Sequence, residues 1–316
     1  MQHPVRNALP KINVAIVGVG KIARDQHMPV IAASSQFELV ACVSQQAAVD
    51  SVPVYRDLPT LFRACPQVQA VALCMPPQHR NRYATEALQV GRHVLLEKPP
   101  DISVENVAEL RAQATARSLT LFATWHSRFA AGVEPARRWL TGCKLRAVRV
   151  IWREDVRHWH PNQEWIWEPG GLGVFDPGIN ALSIVTHLLP GPLSMADAEL
   201  YTPANKQMPI AARLQLSDAD GVKINVDFDW RQTGPQSWDI KIDTDKGALR
   251  LSHGGARMQI DGKDAPVAEQ HEYTGIYRHF ADLIERGSSD ADAEPLRLVI
   301  AAFAKGRHIV VDSFVD

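Results

Sequence analysis

The chain has 316 residues, 46% of them hydrophobic and 22% charged, the make-up of a soluble globular protein long enough for two domains. Its 34 basic and 35 acidic residues leave a formal charge of -1, which gives no basic excess for a nucleic-acid partner. No apolar run approaches a membrane span, residues 1–10 lack a signal-peptide core, and Cys42, Cys65, Cys74 and Cys143 show no CxxC spacing, so a reduced, cytoplasmic protein without disulfides or a metal site is expected.

The first strand, over 13–17, runs into Gly18-Val19-Gly20-Lys21-Ile22-Ala23 and a helix over 21–33. In this GxGxxA pattern the first glycine permits a tight turn and the second lets a pyrophosphate approach the backbone. The small third residue lets helix and strand pack closely. The helix N-terminus then offers unpaired N–H groups to phosphates. A second strand over 37–43 ends in Ser44-Gln45-Gln46, where an NAD enzyme commonly carries a carboxylate. No carboxylate there repels a 2′-phosphate, which predicts dual use of NAD and NADP with a lean to NADP. A polar loop, with selectivity set elsewhere, is the alternative.

A helix over 58–64, a strand over 70–75 ending in Cys74-Met75-Pro76-Pro77, and a helix over 78–91 follow. The strand over 93–97 closes on Glu97-Lys98-Pro99. Ligands of open α/β sheets bind beyond the carboxyl ends of strands, which would bring Lys98 to the cofactor crevice, although lysine alone is most often a surface residue. A helix over 103–118, capped by Ser103 with Glu105 and Asn106, and a strand over 120–125 complete this half. Strands apolar on both faces and separated by helices predict a parallel sheet covered on both sides, a Rossmann-type dinucleotide-binding domain over residues 1–128. His126 follows the last strand end, and crevice-facing and ordinary loop positions are both open to it.

Period-two alternation takes over at 144–154, 212–216, 223–230 and 239–244, with turns at 217–221 and 245–247. Consecutive alternating strands predict an open, mostly antiparallel sheet in an α+β domain over residues 129–316, closed by helices over 275–286 and 295–305. Within the stretch 152–160, Trp152 and Glu154 share one strand face, and Trp159 and His160 follow. Glu154 could take two hydroxyls of a ligand and Trp159 could stack on a ring; a surface charge cluster over a core Trp152 explains Arg153, Asp155 and Arg157 as well. Trp230 could form another wall or belong to the core. His187 and His308 read as packing or surface residues.

The GxGxxA turn, Cys74-Met75-Pro76-Pro77 and Glu97-Lys98-Pro99 together resemble the Gfo/Idh/MocA oxidoreductases over essentially the whole chain. Segments 21–27, 122–128 and 165–180 resemble a narrower group within that family, the 1-dehydrogenases of L-arabinose and D-galactose. The resemblance implies oxidation of the anomeric C1 of L-arabinose, as the preferred sugar, and also of D-galactose or D-fucose, to a lactone, with a monosaccharide bound between the domains and a homodimer formed through the second sheet. It implies Lys98 in the active site, and cofactor contacts from Gly18, Gly20, Lys21, Ile22, Ala23, Ser44, Gln45, Cys74, Met75, Pro76, His79, Glu97, Trp125 and Trp165. It also implies His126, Glu154, Trp159, His160 and Trp230 around the sugar.

Asp176 and Asn180 lie four apart and share a helix face. Many family members carry histidine at the second of these positions. Asparagine cannot act as a base near neutral pH, so acid–base work would fall to Asp176 with Asn180 holding substrate. Asp176 followed by Pro177 also has the form of a helix N-cap, which local chemistry favours and the resemblance does not. Inositol or polyol oxidation on the same scaffold, and a nucleotide-binding regulator without turnover, are the rival readings.

Overall fold

Apolar strands alternating with amphipathic helices build a doubly wound layer in the first half of the computed structural model, which describes residues 10–45 and 48–315. The strands are β1 (Ile12–Val17), β2 (Phe37–Val43), β3 (Val54–Tyr55), β4 (Ala70–Leu73), β5 (His93–Glu97) and β6 (Leu121–Thr124). All pair in parallel, in the order β3-β2-β1-β4-β5-β6. The order reverses between β1 and β4, so the turns after these two strands border the switch-point crevice where such sheets bind nucleotides. β4 and β6 are buried at every position, as strands covered on both faces must be.

Helices α1 (Met28–Ala33), α2 (Leu58–Ala64), α3 (Pro77–Gln89) and α4 (Val104–Ala116) cover this sheet. The helix expected over 21–33 is present but widened: Ala23–His27 forms a π-helical turn in which Met28 N–H reaches Ala23 O. Pro29 cannot donate and would crowd the carbonyl four residues back, and a wider preceding turn eases that crowding. Ser103 caps α4 as expected, accepting from Asn106 N–H at 3.2 Å.

The second sheet has nine strands, β7 (Leu145–Arg153), β8 (Ser194–Pro203), β9 (Ala211–Ser217), β10 (Lys223–Asp229), β11 (Ser237–Thr244), β12 (Gly247–Ser252), β13 (Arg257–Ile260), β14 (Lys263–Asp264) and β15 (Arg307–Val311). Their order is β14-β13-β12-β11-β7-β10-β9-β8-β15. β7 pairs with β10, and β8 with β15, in parallel, while the other neighbours run antiparallel. Alternation of period two reports burial and not direction, so the parallel pairs were not foreseeable from the pattern. α5 (Val133–Leu140), α6 (Val156–Trp159), α7 (Phe175–Leu188), α8 (Glu272–Arg286) and α9 (Glu294–Lys305) complete the chain. α7 rests directly on the sheet, since a methyl group on Gly178 would lie 2.6 Å from the Phe228 ring of β10.

By packing, the first unit comprises the chain up to Thr124 together with Tyr273–Ala291, and the second comprises Trp125–Glu272 with the chain from Asp292. Nearly all of α8 therefore belongs to the nucleotide-type unit, where the Phe280 ring stacks on Phe37 at 5.7 Å and the Tyr277 ring meets Phe37 edge-on at 5.2 Å. Among the described residues, no helix is long and apolar enough to cross a membrane.

Candidate active site

The glycine turn has the geometry its sequence requires. Gly18 sits at φ +89°, and a methyl group there would lie 2.7 Å from Met75 N, so β1 can turn this close to the end of β4 only at glycine. Gly20 faces open space, with nothing within 4 Å of where a methyl group would sit, which leaves its backbone accessible to a phosphate. Ala23 is fully buried, and Lys21 is exposed in an ion pair with Asp25. At the first turn of α3, beyond the β4 end, Gln78 Oε1 is buried with no hydrogen-bond partner. An orphaned acceptor beside an open glycine turn fits a dinucleotide, whose amide and hydroxyl groups could satisfy it. A groove of about 560 Å3 lined by Lys11, Met28, Phe37 and Glu38 lies instead by the amino ends of β1 and β2.

Beyond β2, Gln45 Nε2 donates to Arg56 O at 2.7 Å, and the Arg56 guanidinium donates back to Gln45 O. Gln46 lies outside the described residues. Arg56 follows β3, eleven positions downstream of Gln45, and supplies a cation that sequence inspection of 44–46 could not reveal.

Glu97 is 3% exposed at the end of β5. Its Oε2 accepts the Lys98 N–H at 2.8 Å, and its Oε1 accepts from Tyr273 Oη at 2.8 Å and lies 3.1 Å from His27 Nε2. His27, brought inward by the π-helical turn, is fully buried, and its Nδ1 is 2.8 Å from Tyr277 Oη. Burial opposes protonation of His27, but Cys74, Tyr277 and Glu97 beside it raise its pKa well above the ordinary imidazole value. Burial likewise pushes the Tyr277 phenol up to about 12, so it stays neutral. Arg80 donates to the backbone carbonyls of Met75, at 2.8 Å, and of Glu97 and Pro99. The Lys98–Pro99 peptide is cis.

The second unit assembles a different kind of site. Glu154, 3% exposed just past β7, accepts the Trp230 indole N–H at 3.2 Å and the Trp238 indole N–H at 2.8 Å. Trp238 pairs directly with Trp152 across β11 and β7, and the rings stack at 5.8 Å. Trp159 is exposed and lies 5.3 Å from Trp238, which makes a three-indole series from core to solvent. The Trp152 indole N–H is buried without a partner. Trp230 is fully enclosed, so it anchors Glu154 and does not offer a bare ring face.

Asp176 is the second residue of α7 and not its cap. Val174 holds the N-cap position without a side-chain bond, and the Gly173 turn starts the helix early, Asp176 N–H donating to Gly173 O at 2.8 Å. Pro177 still falls in the first turn, where a missing N–H sacrifices no intrahelical bond. The Asp176 side chain is 8% exposed and its Oδ2 lies 3.6 Å from His160 Nε2, a charge-pair distance too long for a hydrogen bond. The His160 ring packs 5.2 Å from Trp230, which links this pair to the Glu154 group. Asn180 stands one turn further along α7, half-buried.

Other expected contacts have local partners. Trp125 is buried and donates its indole N–H to Asp292 O at 2.9 Å, and His126 Nδ1 lies 2.6 Å from Glu272 Oε2. Trp165 is half-buried in a short helical turn (Glu164–Trp167), while Pro76 and His79 are exposed around the start of α3. Arg153 pairs with Asp227 and Arg157 with Asp155, the charge cluster that their sequence suggested. Among the described residues, no group of three or more His, Cys, Asp or Glu is placed to hold a metal ion. Arg56, Gln78, Trp238, Tyr273 and Tyr277 carried no motif. Only the turn signals around them, or the cross-strand register that pairs Trp238 with Trp152, could have pointed to them.

Comparison with known proteins agrees with both units. Residues 12–124 match the family model described as "Oxidoreductase family, NAD-binding Rossmann fold". The chain is 45% identical over 307 residues to galactose 1-dehydrogenase of Pseudomonas fluorescens, covering 96% of this chain and 99% of that one. It superposes on D-galactose-1-dehydrogenase from Rhizobium etli with a TM-score of 0.94 at 50% identity, covering 98% and 99% of the two chains. A 3-ketoreductase from Actinomadura kijaniata, in complex with NADP and TDP-benzene, shares the fold at a TM-score of 0.83 and 19% identity over 96% of this chain and 100% of that one.

Proposed function

Because the chain belongs to the Gfo/Idh/MocA oxidoreductase family, we propose that it is an NAD(P)-dependent aldose 1-dehydrogenase, oxidising the anomeric carbon of D-galactose, L-arabinose or D-fucose to the aldonolactone. The observation that carries this reading is the likeness to galactose 1-dehydrogenases over nearly the full length, substrate-type unit included. The buried Glu154 supports it. A carboxylate fixed by two indole donors is held in one orientation toward sugar hydroxyls, and charge-assisted bonds of this kind are the stronger ones.

In the proposed reaction the C1 hydroxyl loses its proton and C1 loses a hydrogen with its electron pair, leaving the lactone carbonyl. Bound nicotinamide supplies the acceptor for that electron pair. The Gly18–Ala23 turn and Gln78 would hold the dinucleotide. Asp176 takes the hydroxyl proton, with His160 3.6 Å away beside it. The Lys98 ammonium stabilises the negative charge growing on the C1 oxygen. Asn180 and Glu154 hold ring hydroxyls, and Trp238 and Trp159 supply apolar ring surface. Arg56 and the absence of a carboxylate at Ser44 and Gln45 favour NADP, with NAD also accepted. A homodimer through the second sheet belongs to the same reading, and sedimentation equilibrium tests it.

Reduction of NADP+ and NAD+ across aldoses, polyols and inositols tests the assignment. Turnover with D-galactose or L-arabinose and a lactone product is expected. Turnover confined to inositols would replace the reaction while keeping the fold, and NADPH binding without turnover on any sugar would replace the enzyme with a regulator.

A further inference from the structure

We propose that His27, Tyr273 and Tyr277 form a buried positioning network that acts on Lys98 through Glu97. The inference rests on the reading of Lys98 as the residue that stabilises the C1 oxygen. The connections are continuous within the first unit. His27 Nε2 and Tyr273 Oη converge on Glu97 Oε1, at 3.1 and 2.8 Å, while Glu97 Oε2 accepts the Lys98 backbone N–H at 2.8 Å. Tyr277 Oη, 2.8 Å from His27 Nδ1, sets the imidazole plane from the other side. Arg80 donates to the carbonyls of Glu97 and Pro99, so the backbone on both flanks of Lys98 is held as well.

Stability alone is a poor account of this arrangement. Glu97 is 3% exposed, His27 and Tyr277 at most 2% and Tyr273 3%, and burying such groups is costly even when they are paired. Apolar side chains of similar size could fill the same space. What a carboxylate does here that an apolar group cannot is bind the Lys98 N–H with one oxygen while donors fix the other. The network also joins two segments remote in sequence to Lys98. His27 lies in the π-helical turn that continues the glycine motif, and the two tyrosines lie one helical turn apart on α8. Each acts through Glu97 and is assigned no contact with substrate.

Tyr273→Phe is the mildest test, since it removes one hydroxyl and keeps the ring. Hydrogen exchange of the Lys98 amide should accelerate about tenfold in Tyr273→Phe, and more in Glu97→Ala, relative to the parent protein. That measurement needs no substrate. With D-galactose and NADP+, Tyr273→Phe should lower kcat about tenfold while KM and the NADPH dissociation constant stay within about twofold. Glu97→Gln, which keeps an acceptor for Lys98 N–H, should retain more activity than Glu97→Ala. Unchanged amide exchange and unchanged kcat in Tyr273→Phe would overturn the network, as would a loss of kcat matched by a general loss of thermal stability. If Lys98→Ala, measured in parallel, kept full turnover, the role of Lys98 itself would fall. Loss of turnover in Lys98→Ala with full turnover in Tyr273→Phe would remove the network alone. His27→Gln extends the test to the imidazole, and Tyr273→Phe decides if that variant does not fold.

Discussion

The two units build their candidate sites from different materials. In the first unit the nucleotide turn is a backbone device, a positive φ at Gly18, an uncovered Gly20 and a helix N-terminus, all within six residues. In the second unit the groups are side chains from β7, β11, α7 and the segments beyond β7 and β10, and Glu154, Asp176, Trp230 and Trp238 meet only after the sheet has formed. A backbone device tolerates side-chain changes but no change of conformation. A side-chain cluster shows the opposite sensitivity, and mutations can separate the two.

The sharpest separation should come from Asp176→Asn, which keeps shape and removes the proton acceptor. Turnover with D-galactose should fall by about 10²–10⁴ with the melting temperature and NADPH affinity nearly unchanged, as read by steady-state kinetics and calorimetry. Equal loss of all three would make the residue structural. Gly18→Ala tests the opposite sensitivity. The left-handed backbone and the 2.7 Å approach to Met75 N should weaken NADPH binding at least tenfold and destabilise the unit by about 1–3 kcal/mol, in a fluorescence titration and a melt. Trp238→Phe removes one donor from a buried carboxylate, a bond of about 1.5–3 kcal/mol, and should raise the sugar KM roughly tenfold while leaving cofactor binding alone. Arg56→Ala should lower the preference for NADP over NAD several-fold by weakening NADP alone, as measured from the two kcat/KM values. Ser103→Ala, remote from both sites, should cost only about 1 kcal/mol from the α4 cap and lower the melting temperature by a few degrees, with kinetics intact.

The same contrast explains what the amino-acid sequence revealed. β1, its glycine turn and the strand end at Glu97 are legible because each signal is contained in a short window, and the structure places the turn and Glu97 at carboxyl ends of strands in one parallel sheet. β7, β9, β10 and β11 are legible as strands because their alternation is strong. β8 is hidden because Ser194–Pro203 interrupts its alternation with adjacent exposed residues, and β15 because every residue of Arg307–Val311 is exposed or half-buried. Arg56 and Trp238 were illegible for another reason. Their relevance depends on which strand lies beside which, and neither partner strand nor register is written locally. Asp176 was ambiguous because Asp-Pro suits both a cap and a first helical turn, and only the Gly173 turn decides between them.

The return of α8 to the first unit has a consequence for synthesis on the ribosome. The last strand of that unit, β6, is flanked by Ser289 and Asp290, whose groups bond Leu121 N–H at 3.0 Å and Ala123 N–H at 2.9 Å. Phe37 and Phe122 are covered by Phe280. A nascent chain that has emerged only as far as Thr124 therefore presents an open sheet edge and bare aromatic rings, the features that invite aggregation. The nucleotide-type unit begins before the second unit in the chain, yet it can close only after Tyr273–Ala291 has followed. A fragment ending at Thr124 should be recovered mainly with chaperones or as aggregate.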